Sequence, residues 1–132
     1  MKRTEIFLPR FGWRVDVFID FDCEKTETIL GMMKSLGCGQ KTLIEARESR
    51  EDCEENSGMT FSSRKYRNSV LVIHRQGSFK EFINTLAHEI SHVCAHIAIG
   101  GGERIDEEDF CYAAGDLMGS MSEIILDYLG CD

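Results

Sequence analysis

The chain has 132 residues, 42% of them hydrophobic and 29% charged, with a formal net charge of −8. That is the size and balance of a single globular domain, residues 1–132, with one core and little room for a second substrate-binding domain. The acidic balance excludes nucleic acid and an anionic membrane as main partners, since both require a basic surface.

Two basic residues near the start, Lys2 and Arg3, run directly into strand-like sequence. No signal-type apolar stretch follows them and no run is long enough to span a bilayer, so a cytoplasmic protein is expected. The six cysteines, at 23, 38, 53, 94, 111 and 131, contain no CxxC pair. A cysteine-based metal or redox motif is therefore not expected, and the default is six free thiols.

Residues 5–8 are a short strand that turns at Pro9–Gly12. Residues 13–22 then alternate, with Trp13, Val15, Val17, Ile19 and Phe21 on one side and Arg14, Asp16, Asp20 and Asp22 on the other. A period of two predicts a half-buried strand, paired with the first in a hairpin. Asp22 can cap a helix over about 24–36, closed by Gly37, with Ile29, Leu30, Met33 and Leu36 as its apolar stripe. The charged segment 40–55 reads as an exposed helix or a partly ordered loop. Two strands follow at 58–62 and 69–74, the second being the more apolar. Arg64, Lys65 and Arg67, between them, read as a solvated turn.

Ser78 and Glu81 have the spacing of a capping box, which opens a helix running to about Ile99 and stopped by Gly100–Gly102. A last helix is predicted from about Glu107 to Leu129. The order of elements is that of an α+β fold, a small antiparallel or mixed sheet against helices.

The helix after Ser78 carries Ala87-His88-Glu89-Ile90-Ser91-His92. His88 and His92 are spaced i, i+4, so both imidazoles lie on one helix face and can meet one zinc ion. Glu89 lies about 100° around the helix, a place from which a carboxylate can hold and deprotonate a metal-activated water. With His88 at 0°, His92 falls near 40° and His96 near 80°, while Phe82, Leu86, Ile90, Val93 and Ile97 fall between about 120° and 220°. The histidines thus line a face separate from the core stripe. His88 and His96 are ~12 Å apart along the axis, too far to share one ion, so His96 belongs to the cleft wall or the surface. His74, at a strand end, is expected to be structural or exposed.

No histidine follows His96, so a third metal ligand must be a downstream carboxylate: Glu103, Asp106, Glu107, Glu108, Asp109 or Asp116. The segment 86–92, followed by Asp106-Glu107-Glu108-Asp109-Phe110-Cys111-Tyr112-Ala113-Ala114-Gly115, resembles the zincin metallopeptidases. More narrowly it is similar to their glutamate-ligand branch, the gluzincins, and to small zincin-like proteins of bacteriophages and prophages. In the latter an Ala-His-Glu-x-x-His helix precedes a helix opening Asp-Glu-x-x-Ala-Tyr-x-x-Gly. The likeness covers about residues 69–120, and Cys111 stands where that pattern has alanine.

The resemblance implies a zincin-like fold, Glu108 as third zinc ligand, Tyr112 one turn on, and a peptide or protein substrate bound along an edge strand, at 58–62 or at the strand ending in His74. Helix geometry also favours Glu108, with Glu107 next. Tyr112, Gly115 and Gly119 lie within about 40° of Glu108, a small-residue face suited to close approach to the preceding helix. Tyr112 could donate its hydroxyl to a developing oxyanion or simply pack. The expected activity is hydrolysis of peptide bonds with one zinc per chain and Glu89 as base. The alternatives are a zinc-binding protein without turnover and a metal-free interaction module of a phage or mobile element. Oligomeric state is left open.

Overall fold

The computed structural model describes residues 1–51, 54–100 and 106–130. Strand β1 (Lys2–Leu8) and strand β2 (Trp13–Phe21) form the expected antiparallel hairpin. Its turn closes through Phe11 N–H to Leu8 O at 3.1 Å, with Gly12 at φ 58°, a backbone state that glycine adopts without strain. A 3₁₀ turn (Cys23–Lys25) leads into α1 (Thr26–Ser35), and α2 (Gln40–Glu51) follows. Strands β3 (Gly58–Ser63) and β4 (Asn68–His74) come next, then α3 (Phe79–Gly100), α4 (Glu107–Ser120) and α5 (Ser122–Leu129).

The four strands form one sheet in the order β1-β2-β4-β3, with β2 and β4 parallel and the other pairs antiparallel. This is an α+β fold with a small mixed sheet. β4 is an inner strand and β3 an edge, so of the two strands proposed above for strand addition only 58–63 has a free side.

Strand β2 is not half-buried, as alternation implied, but buried on both faces. Val15, Val17 and Ile19 point with Leu71 and Ile73 into a core closed by α3, α4 and α5. Phe18 points the other way, with Val70 and Val72, into a second core closed by Ile29, Leu30 and Met33 of α1 and Ala46 of α2. Phe21 belongs to this second core and not to the Trp13 side. The register slips between Ile19 and Phe21, where Asp20 takes φ 55°, and one extra residue turns every later side chain to the opposite face. Segment 40–51 is helical because Ala46 and Leu43 find that second core. The last helix breaks at Met121, whose side chain is buried in the first core.

Cys23 is disulfide-bonded, which corrects the expectation of six free thiols. Separation along a chain says nothing of separation in space, so the sequence could not reveal the pair. Cys38, Cys94 and Cys111 are free. Among the described residues no helix is long and apolar enough to cross a membrane.

The two-faced sheet predicts that Phe18→Ala destabilises like a core truncation, by about 3–5 kcal/mol in urea unfolding. A loss under about 1 kcal/mol would mean that this face of β2 is solvated.

Candidate metal centre

Helix α3 is positioned by its apolar stripe. Phe82, Leu86, Ile90, Val93 and Ile97 are all buried against the sheet. Its first turn is capped as expected, the Ser78 hydroxyl accepting from Glu81 N–H at 3.1 Å. The opposite face then presents His88 and His92 to solvent, with the rings 4.8 Å apart and nearly perpendicular. Their Nε2 atoms are 3.1 Å apart. Two nitrogens bound tetrahedrally at ~2.0–2.1 Å from one zinc stand roughly 3.3 Å apart, so this pair already has the separation a shared ion imposes. Donor type and spacing both fit zinc.

Glu89 is the third member of the group. One ligand atom from each of His88, Glu89 and His92 lies within 4.8 Å of the others. Unlike the histidines, Glu89 is buried, at 5% exposure. Its carboxylate sits under β3, where the Thr60 hydroxyl lies 2.5 Å from Oε2. That hydrogen bond holds one carboxylate oxygen, Oε2, and does not engage the other. Burying a carboxylate is costly unless charge or hydrogen bonds compensate it, and a cation on the adjacent imidazoles would do so.

The fit between helix and edge strand depends on Gly58. A Cβ there would stand 2.8 Å from Glu89 Cγ and 2.9 Å from the Val72 carbonyl oxygen. Gly58, Thr60 and Ser62 alternate along β3 and face α3, while Met59 and Phe61 pack into the second core. Sequence reasoning missed Thr60. The available signal was that β3 turns a small, polar face toward a helix face that also carries polar groups.

His96 lies on the cleft wall, half-buried, with Nδ1 2.7 Å from Ser62 Oγ. Its pKa is lowered, first by burial and then by the neighbouring His92 and Arg64, with Glu89 opposing. Cys94 is buried in the core, and burial pushes its thiol up to about 11. His74 is structural: it is buried, stacked on Phe21 and within 2.8 Å of Ser57 Oγ.

The downstream carboxylates separate by role. Asp106 caps α4 by accepting from Asp109 N–H at 2.9 Å, and Asp109 returns the contact in a capping box. Asp116 pairs with Arg10 at 3.4 Å. Glu103 lies outside the described residues. Glu107 and Glu108 remain, both exposed in the first turn of α4, and neither joins the group of ligand atoms around His88 and His92. Tyr112 is exposed and lies under the Arg10 guanidinium, 4.0 Å from the ring centroid, a cation–π contact outside that group. Gly115 and Gly119 do not make the expected close helix approach: a Cβ at either would meet nothing within 4 Å. Gly115 instead borders an apolar groove of about 420 Å³ between α3 and α4, with Ile83, Ala87, Ile90 and Met118.

Comparison with known protein families, with curated proteins and with solved structures found no match.

Gly58→Ala is expected to destabilise the protein by about 1–3 kcal/mol, because backbone and the Glu89 stem both block the added methyl. Unchanged stability in urea would show that β3 can move off α3 freely.

Proposed function

We propose that the protein is a zinc-dependent metallopeptidase-like hydrolase, with His88 and His92 as metal ligands and Glu89 as the general base. The observation that carries this reading is the joint placement of the two Nε2 atoms, 3.1 Å apart, beside a buried carboxylate held by Thr60. A purely structural metal site has no use for that carboxylate. Glu108, exposed at the start of α4, is proposed as the third ligand on the resemblance to gluzincins; α4 packs on α3, and the competing carboxylates of Asp106, Asp109 and Asp116 are engaged elsewhere.

Zinc held by these residues would supply Lewis-acid polarisation of a carbonyl and would make a water acidic enough to ionise near neutral pH. The chain's own residues do the rest. Glu89 takes a water proton on the carboxylate oxygen not held by Thr60 as the water oxygen bonds to the carbonyl carbon, then delivers it to the amine nitrogen as the C–N bond breaks. Thr60 fixes the rotamer of the base. Strand β3, the sheet edge beside α3, offers backbone groups along which an extended peptide substrate can add as a further strand.

A second reading, a metal-binding protein without turnover, is favoured by two observations: Tyr112 is engaged by Arg10, and Glu108 lies outside the group of ligand atoms.

Elemental analysis of tag-free, zinc-loaded and dialysed protein is expected to give one zinc per chain, lost in His92→Ala and weakened in Glu108→Ala. Glu89→Gln is expected to keep the zinc and to lower hydrolysis of unstructured peptides about 10²–10⁴-fold. Zinc without cleavage in the wild type would establish the second reading. Failure of the wild type to retain zinc would leave an interaction module in which the histidines do no metal chemistry.

A further inference from the structure

One turn beyond His92, the end of β3 and the second half of α3 enclose a pocket of about 120 Å³ lined by Ser62, Arg64, His96 and Ile99. We propose that this pocket is a subsite for a substrate carboxylate, bound by the Arg64 guanidinium and the His96 Nε2–H. The inference rests on the hydrolase reading above and specifies its substrate class.

Its first support is a directed chain of hydrogen bonds. The Trp13 indole can only donate, and it donates to Ser69 Oγ at 2.9 Å. Ser69 lies opposite Ser62 in the β3–β4 register, and the two hydroxyl oxygens are 2.7 Å apart. Ser69 is fully buried, so its own hydroxyl proton needs an acceptor, and Ser62 Oγ is the partner at hand. Ser62 Oγ lies 2.7 Å from His96 Nδ1, and a Ser62 proton given to that nitrogen continues the chain. In that order Nδ1 accepts and the ring proton of the neutral imidazole is on Nε2. His96 is thereby set as a donor at the pocket it lines.

The second support is Arg64. No hydrogen bond or ion pair engages its side chain among the described residues, in a chain that pairs Arg3, Arg10, Arg14, Arg47 and Arg75 with carboxylates. Its stem runs past Gly100, where a Cβ would stand 3.1 Å from Arg64 Cγ and 3.0 Å from Trp13 Cη2. The glycine leaves room for this arginine against α3. A planar guanidinium with an adjacent imidazole N–H matches the two oxygens of a carboxylate. The volume is about that of four waters, enough for the group and its first methylene.

From the midpoint of His88 and His92, His96 is roughly six residues up the helix, ~9 Å. An extended peptide covers that in two to three residues at ~3.3 Å each. The subsite would therefore read an acidic side chain, or a chain-terminal carboxylate, two or three residues from the bond at the metal.

The test is an NMR titration of ¹⁵N-labelled full chain, metal-free and zinc-loaded, read at the His96 ring nitrogens and Arg64 Nε. The probes are acetyl-Gly-Gly-Gly-Glu-Gly-amide, its Gln counterpart, and acetyl-triglycine as free acid and as amide. A carboxylate form is expected to bind at least about tenfold more tightly than its neutral partner, as one charge-assisted pair implies, and Arg64→Gln is expected to abolish that preference. Preference confined to the Glu peptide assigns an internal acidic residue, and preference confined to triglycine acid assigns the chain end. Equal binding of acid and neutral probes, a preference that survives Arg64→Gln, or a proton on His96 Nδ1 would overturn the proposal. Zinc content is read on the same samples. A wild type without zinc sinks the hydrolase reading alone, since the carboxylate preference is scored without metal.

Discussion

The contact between Glu89 and the edge strand is the constraint on which the rest of the site depends. A glutamate at this point of a solvent-facing helix would ordinarily extend into water. Here β3 lies close enough to cover it, and it can do so only because residue 58 has no side chain. Once the strand is there, Thr60 has Oε2 within hydrogen-bond reach and Ser62 has His96. One glycine therefore sets the spacing that orients a carboxylate and an imidazole, while His88 and His92 stay accessible on the next part of the helix surface. A buried acid beside two open imidazoles is an arrangement that costs stability in the absence of a compensating charge, and such costs gather where chemistry is done.

The sheet makes that geometry rigid. β2 and β4 are buried on both faces, so neither can slip by one residue without turning its apolar side chains out of one core and into the other. β3 is registered on β4 from Gly58 against Ile73 to Ser63 against Asn68, and α3 lies over both strands. The candidate centre is thus supported by elements that cannot shift independently. Its downstream side is less fully built: Glu107 and Glu108 are exposed in the first turn of α4.

The legible parts of the sequence were those governed by local rules. The β1–β2 hairpin follows from alternation and the turn at 9–12, and α3 from its apolar stripe and the Ser78 cap. The histidine pair follows from the i, i+4 spacing of His88 and His92, and its Nε2 atoms do converge. What the sequence hid was decided by tertiary contact. Phe21 was placed on the wrong face because the bulge at Asp20 reverses the pattern, and the burial of Phe18 was hidden because the second core lies on a face that alternation alone assigns to solvent. Thr60 was invisible because its partner is twenty-nine residues away. The disulfide at Cys23 was invisible for the same kind of reason. Gly115 and Gly119 looked like a packing face, but nothing approaches them; small residues permit close contact without requiring it.

The central claim is that α3 presents a two-histidine metal site, and the most direct test is X-ray absorption at the zinc edge of the loaded protein. The account predicts two imidazole nitrogens at about 2.0–2.1 Å completed by oxygen, with no sulfur in the coordination sphere. A sulfur contribution near ~2.3 Å, or a single imidazole, would place the metal somewhere other than His88 and His92 and would contradict it.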